Sequence, residues 1–138
     1  MKLSNIPHNV RLFGDHGFRG KCPPESIEQV TFFNRIRREY PDTWGAIAIH
    51  VKNEGKRSRG QIAMDKAEGM TPGAADIIIP ARITFVCEMK RRDHTKCKFQ
   101  PGQLPYLTAA ANSGAFACVA LGCDAAWKAL GVWLDVME

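Results

Sequence analysis

Hydrophobic positions in this chain come in bursts whose period changes along its length. After Pro23-Pro24, Ile27, Val30, Phe32, Phe33, Ile36 and Tyr40 recur at three- and four-residue spacing. That spacing predicts a helix opened at Glu25 or Ser26 and stopped by Pro41, with Arg35, Arg37, Arg38 and Glu39 on its outer face. Trp44 to Val51, WGAIAIHV, is a short apolar run that reads as a strand. NEGKRSRG reads as a loop, and Gln61 to Glu68 as a short helix closed by Gly69. TPGAADIIIP is a Gly-containing turn leading into a strand that Pro80 ends. ITFVCEMK follows, apolar on both faces until Glu88, as in a strand covered on both sides. Pro101 to Asn112 reads as an Ala-rich helix and Ala115 to Leu121 as a buried strand. A last helix, capped by Asp124, turns Trp127, Leu130, Trp133 or Leu134, and Met137 inward. This order predicts an α/β fold with one mixed sheet in residues 25–138, preceded by an irregular arm over residues 1–24.

Composition narrows the picture. At 138 residues the chain fits one domain, large enough to bury a core without disulfide or metal staples. No apolar run approaches a membrane span and the first residues lack a secretory signal, so a soluble, cytoplasmic protein is expected. The five cysteines form no CxxC pair and no cluster at zinc spacing; Cys87 and Cys118 sit in apolar runs and read as core. The net charge of +5 leans toward anionic partners, and its distribution says more. Lys52, Lys56, Arg57 and Arg59 share one Gly-containing stretch, and Lys90, Arg91, Arg92, Lys96 and Lys98 another. Solvated loops explain such runs as simply as nucleic acid does.

The chemistry begins at Glu88-Met89-Lys90. Residues two apart on a strand share a face, so Glu88 and Lys90 project together. If a three-residue loop joins the two strands, Pro80 pairs with Thr84 and Asp76 falls opposite Glu88, with β-carbons ~5 Å apart. Two carboxylates that close repel unless a proton or cation lies between them. A hard divalent ion bound by carboxylate oxygens and waters meets that need and activates water, with Lys90 placed to stabilise charge on a phosphate. An exposed ion pair on an ordinary hairpin is the competing explanation. Gly69 and Gly73, before Asp76, fit either a close phosphate approach or a simple turn, and His50 reads as structural.

Three segments in order, HVKNEGKRSRGQIAMDKAEGMTPGAADIIIP, FVCEMKRRD and GQLPYLTAAANSGAFACVALGCDAAWKAL, closely resemble the virus-type replication–repair nuclease (VRR-NUC) domain of the PD-(D/E)xK nuclease superfamily, over residues 25 to 136. The resemblance implies a restriction-endonuclease-like core and hydrolysis of DNA by metal-activated water. It implies Asp76 and Glu88 as ligands of Mg²⁺ or Mn²⁺, with the Met89 backbone carbonyl, and Lys90 as the catalytic lysine. Glu28 is implied to reach the ion through water, and Gln103 to lie beside the centre. Lys52, Lys56, Arg57, Arg59, Arg91 and Arg92 are the expected DNA contacts. Ala75 departs from the superfamily signature, which has Pro there. Stand-alone members resemble Holliday-junction resolvases, which implies a homodimer cutting four-way junctions. Cleavage of flaps, nicks or single strands, and a non-catalytic nucleic-acid-binding module, are the alternatives.

Overall fold

The computed structural model describes residues 1–52 and 58–138. One five-stranded mixed sheet organises them, in the order β1 (Arg11–Phe13), β5 (Phe116–Leu121), β4 (Phe85–Lys90), β3 (Ile77–Ile79), β2 (Ile49–His50). β4 runs parallel to β5 and β5 parallel to β1, whereas β3 is antiparallel to both β4 and β2. Helices cover both faces: α1 (Glu25–Glu39) and α5 (Cys123–Met137) enclose one core, and α4 (Gln103–Asn112) the other. Every residue of β4 and β5 is buried, as the apolar runs predicted. Cys87 and Cys118 are fully buried and face each other across these two strands, and all five cysteines are free thiols.

Four sequence expectations change. The lead-in contains β1, an edge strand too short to show alternation, whose flank Val10 is buried. Trp44–Ile47 is a helical turn, α2, and only Ile49–His50 are strand. The reason is contact: a β-carbon on Gly45 would lie 2.6 Å from the carbonyl oxygens of Ile36 and Tyr40, so this segment packs backbone-on-backbone against α1. Ile27 and Val30 are exposed; α1 buries Glu28, Gln29, Phe32, Phe33 and Ile36 instead. Finally, Gly122 precedes α5 and Asp124 lies in its first turn, ion-paired with Arg92 at 3.1 Å. On α5, Trp133 and Leu130 are the large buried residues, beside Ala126 and Ala129, with Trp127, Leu134 and Met137 packed around them.

The hairpin keeps the expected register. Ile77, Ile78 and Ile79 pair with Cys87, Val86 and Phe85, and one more step in the same register sets Asp76 against Glu88. α3 (Arg59–Ala67), in the β2–β3 connection, is capped by the Ser58 hydroxyl, which accepts from the Gln61 amide at 3.1 Å. Among the described residues no helix is long and apolar enough to cross a membrane.

Candidate active site

The ends of β3 and β4 and the start of α4 open onto a cleft of about 760 Å³. Asp76, Glu88, Lys90 and Gln103 all line it. Two glycines bring these elements together. Gly73, at φ +78°, lies against Gly102, at φ +90°, so closely that a β-carbon on Gly73 would sit 2.1 Å from the Gly102 carbonyl carbon. Gly73 is therefore needed for backbone approach between the Asp76 turn and α4, whereas Gly69 meets nothing and serves a turn. Pro105 sits within the first turn of α4, where an amide has no intrahelical partner to lose.

Gln103 is the hub. Its Nε2 donates to Glu88 Oε1 at 2.8 Å, and its Oε1 accepts from Lys90 Nζ at 3.0 Å and from the Gln100 amide at 2.7 Å. Lys90 Nζ also donates to the Lys98 carbonyl at 2.8 Å, lies 3.8 Å from Glu88 Oε1 and 5.3 Å from the Phe99 ring centre. The lysine is buried, so its ammonium depends on these groups for compensation.

Glu88 is 1% exposed, and no donor reaches its Oε2. The neighbour is a second carboxyl, that of Asp76, whose Oδ2 accepts from the Met89 amide at 2.9 Å. Burial, and then the Asp76 charge, push Glu88 up to about 9, with Lys90 opposing. Burial likewise raises Asp76, against hydrogen bonds from Glu88 and the Met89 amide. Without a cation, the pair therefore shares a proton at neutral pH. An orphaned, buried carboxylate oxygen facing a second carboxyl fits a hard divalent ion. Among the described residues no three His, Cys, Asp or Glu side chains cluster, so waters and backbone oxygens would have to complete the coordination.

The remaining expected residues scatter. Glu28 is buried away from the cleft, where its Oε2 accepts from the Cys123 amide and caps α5. Glu25, one turn earlier, lines the cleft and acts on Glu88 through its charge. Both are first-turn acids of α1, and sequence spacing alone could not choose between them. Met89 has its side chain in the core and turns its amide to Asp76. His50 Nδ1 bonds the Asp76 carbonyl at 2.9 Å on the sheet face that carries Phe33, consistent with a structural role.

Of the basic residues, Lys56 and Arg57 lie outside the described residues; Lys52 and Arg59 are exposed but do not line the cleft. Arg91 lines it while donating to the carbonyls of Cys22 at 2.8 Å and Pro23 at 3.3 Å. Arg92 points elsewhere, to Asp124. Lys66, Lys96 and Lys98 line the cleft; the last two belong to the second basic run, and Lys66 had no signal beyond its charge.

Fold and site together define an α/β protein with a five-stranded mixed sheet flanked by helices and a carboxylate–carboxylate–lysine group at the end of its central hairpin. A solved structure described as a VRR_NUC domain protein matches it with TM-score 0.69, over 86% of this chain and 92% of that one, at 19% sequence identity. The chain has the VRR-NUC fold. No family model matches the sequence, and no curated protein matches it.

Proposed function

We propose that this protein is a divalent-metal-dependent nuclease that hydrolyses DNA phosphodiester bonds. The observation carrying this reading is the Asp76–Glu88 carboxyl pair, Asp76 half-buried and Glu88 buried with an orphaned oxygen, beside a buried lysine in an open cleft. Asp76 and Glu88 would hold Mg²⁺ or Mn²⁺, with the Met89 carbonyl a further ligand and Glu25, rather than Glu28, the acid that reaches the ion through water. When bound, the ion supplies a polarised water and offsets charge on the phosphate. Lys90 stabilises negative charge building on the phosphoryl oxygens. Gln103 holds Lys90 and Glu88 at fixed positions, so neither has to reorganise as that charge develops. Displacement by water in line leaves a 3′-hydroxyl oxygen, with no covalent enzyme intermediate.

The substrate we favour is branched DNA, four-way junctions in particular, cut by a two-fold homodimer in the cytoplasm. One metal centre cuts one strand at a time, and a junction is resolved cleanly by paired cuts in strands related by two-fold symmetry. Labelled junctions, flaps, duplexes and single strands, each incubated with Mg²⁺ or Mn²⁺, test the reading. Paired cuts in the junction are expected. Single cuts confined to flaps or single strands would keep the chemistry and change the substrate, and absence of cleavage on every substrate would refute the nuclease.

A further inference from the structure

We propose that the α3 side of the cleft is a base-contacting surface, so that the strand at the active site is unpaired; this rests on the nuclease reading. The residues lining the cleft divide by connection. From the β4–α4 connection come Arg91, Lys96 and Lys98, three positive charges without an acid among them. Among the described residues, the β2–β3 connection contributes Ile62, Met70 and Pro72, together with Lys66 and Asp65, whose charges cancel. Ile62 and Lys66 are four apart on α3 and share its cleft-facing side.

α3 itself is unusual. It contributes no buried residue to either core, and Ile62 is 50% exposed. A nine-residue helix is marginal in water on its own, and most helical stability comes from packing an apolar face. Here the apolar residue on that face turns into the active-site cleft, continuous with Asp76 and Glu88. A double helix presents phosphates along both of its strands, and a flank with no net charge and exposed apolar residues suits neither. A single strand presents phosphates on one side and bases on the other, and it matches a site with one basic and one apolar flank. The occupant is therefore an unpaired strand, as in a flap, an open end or the strands parted at a junction's branch point, with its phosphates toward Lys96 and Lys98 and its bases toward Ile62 and Met70.

The test uses the full chain with Ile62→Ala and, separately, Met70→Ala. Because Ile62 is half-exposed, its variant should melt with the parent, which a thermal scan checks. Binding to a single strand and to a perfectly paired duplex of the same sequence is titrated across salt concentrations, and cleavage of a flap is followed alongside. We expect single-strand affinity and flap cleavage to fall about tenfold, the lower end of a lost base contact, with duplex binding unchanged. The salt slope should stay the same, because an apolar contact with a base releases no counterions. Ile62→Val should restore most of the loss. Equal losses on both DNAs, a slope change of about one, or no change in either variant would overturn the proposal. Lost self-association with unchanged DNA binding would overturn it too, by assigning α3 to a second copy of the chain. If the parent binds the single strand through Ile62 but cuts nothing, the surface stands and the nuclease reading falls. If the parent cuts DNA and the variants match it, the surface falls and the nuclease stands.

Discussion

Replacing Glu88 with Gln should destroy the activity and stabilise the metal-free protein. In the folded chain Glu88 holds its proton up to about 9, against an ordinary value of 4.5. Between those values the folded state carries a proton that the unfolded chain has released, so stability falls as pH rises through the window. At about pH 7.5 the difference spans roughly three pH units, or about 4 kcal/mol at ~1.4 kcal/mol each. A glutamine at this position has no proton to lose. Its amide oxygen can accept from Gln103 Nε2 as Glu88 Oε1 does, and its NH₂ can donate toward Asp76 in place of the shared proton. The substitution thus imitates the protonated acid and removes its pH penalty.

For a domain of this size the gain corresponds to a melting temperature higher by of order 10 °C. Thermal unfolding in chelator, from pH 5 to 8.5, measures it. The advantage of Glu88→Gln should be near zero at the acid end and grow with pH. Adding Mg²⁺ or Mn²⁺ should raise the parent's melting temperature and leave the variant's unchanged, because only the parent gains ligand-linked stability. Metal binding to the parent should release protons and tighten with pH. A variant no more stable than the parent at pH 8, or one stabilised equally by metal, would refute the shared-proton account of the carboxyl pair.

Asp76→Ala should abolish cleavage while DNA binding, drawn from other residues, largely survives; substantial metal-dependent cutting by pure protein would sink the site. Lys90→Ala should lower turnover more than it weakens metal affinity, read by single-turnover kinetics beside calorimetric metal titration. Glu25→Gln should weaken metal binding more than it lowers the melting temperature, whereas Glu28→Ala should cost about 1–3 kcal/mol of stability, from loss of the buried α5 cap, at unchanged metal affinity; the reverse pattern would restore Glu28 to the metal site. Arg91→Ala should slow cleavage more than a lost phosphate contact can explain, because Arg91 also holds the backbone entering α1; a loss seen only in binding, with the salt slope lower by about one, would reduce it to a DNA contact.

The hairpin that carries the candidate site was legible because two local rules converge on it. Alternation puts Glu88 and Lys90 on one face, and the short link after Pro80 then fixes which residue opposes which. Gln103 owed its place to family likeness, since nothing local marks a helix-start glutamine. Where the sequence misled, distant contacts decide. β1 is three residues long and exists because β5 lies beside it, more than 100 positions away. WGAI coils because α1 leaves room only for the glycine at position 45. On α1, apolar residues cover more than one face, so Ile27 and Val30 mimic a core stripe that Phe32, Phe33 and Ile36 occupy.

The basic run after Lys90 shows why counting charges says so little about what they do. Lys90 itself is buried among a carbonyl, an amide and a carboxylate. Arg91 and Lys96 donate to the carbonyls of Cys22, Pro23 and Gly20, and Arg92 pairs with Asp124 on another side of the domain. Asp93, in the middle of the run, is buried and accepts from the Gly20 amide and from the amide and hydroxyl of Thr95. The Thr95 hydroxyl, and then the Gly20 amide, pull this carboxyl down to about 2, so it stays charged at any pH where the Asp76–Glu88 pair can act. Much of what reads in the sequence as a DNA-binding patch is thus a latch on residues 20–23. Those residues lead directly into α1, whose first residue is Glu25, so the latch sets where an acid enters the cleft. The run fixes backbone, and under the nuclease reading it would meet DNA only through the charge that Arg91, Lys96 and Lys98 still project into that cleft.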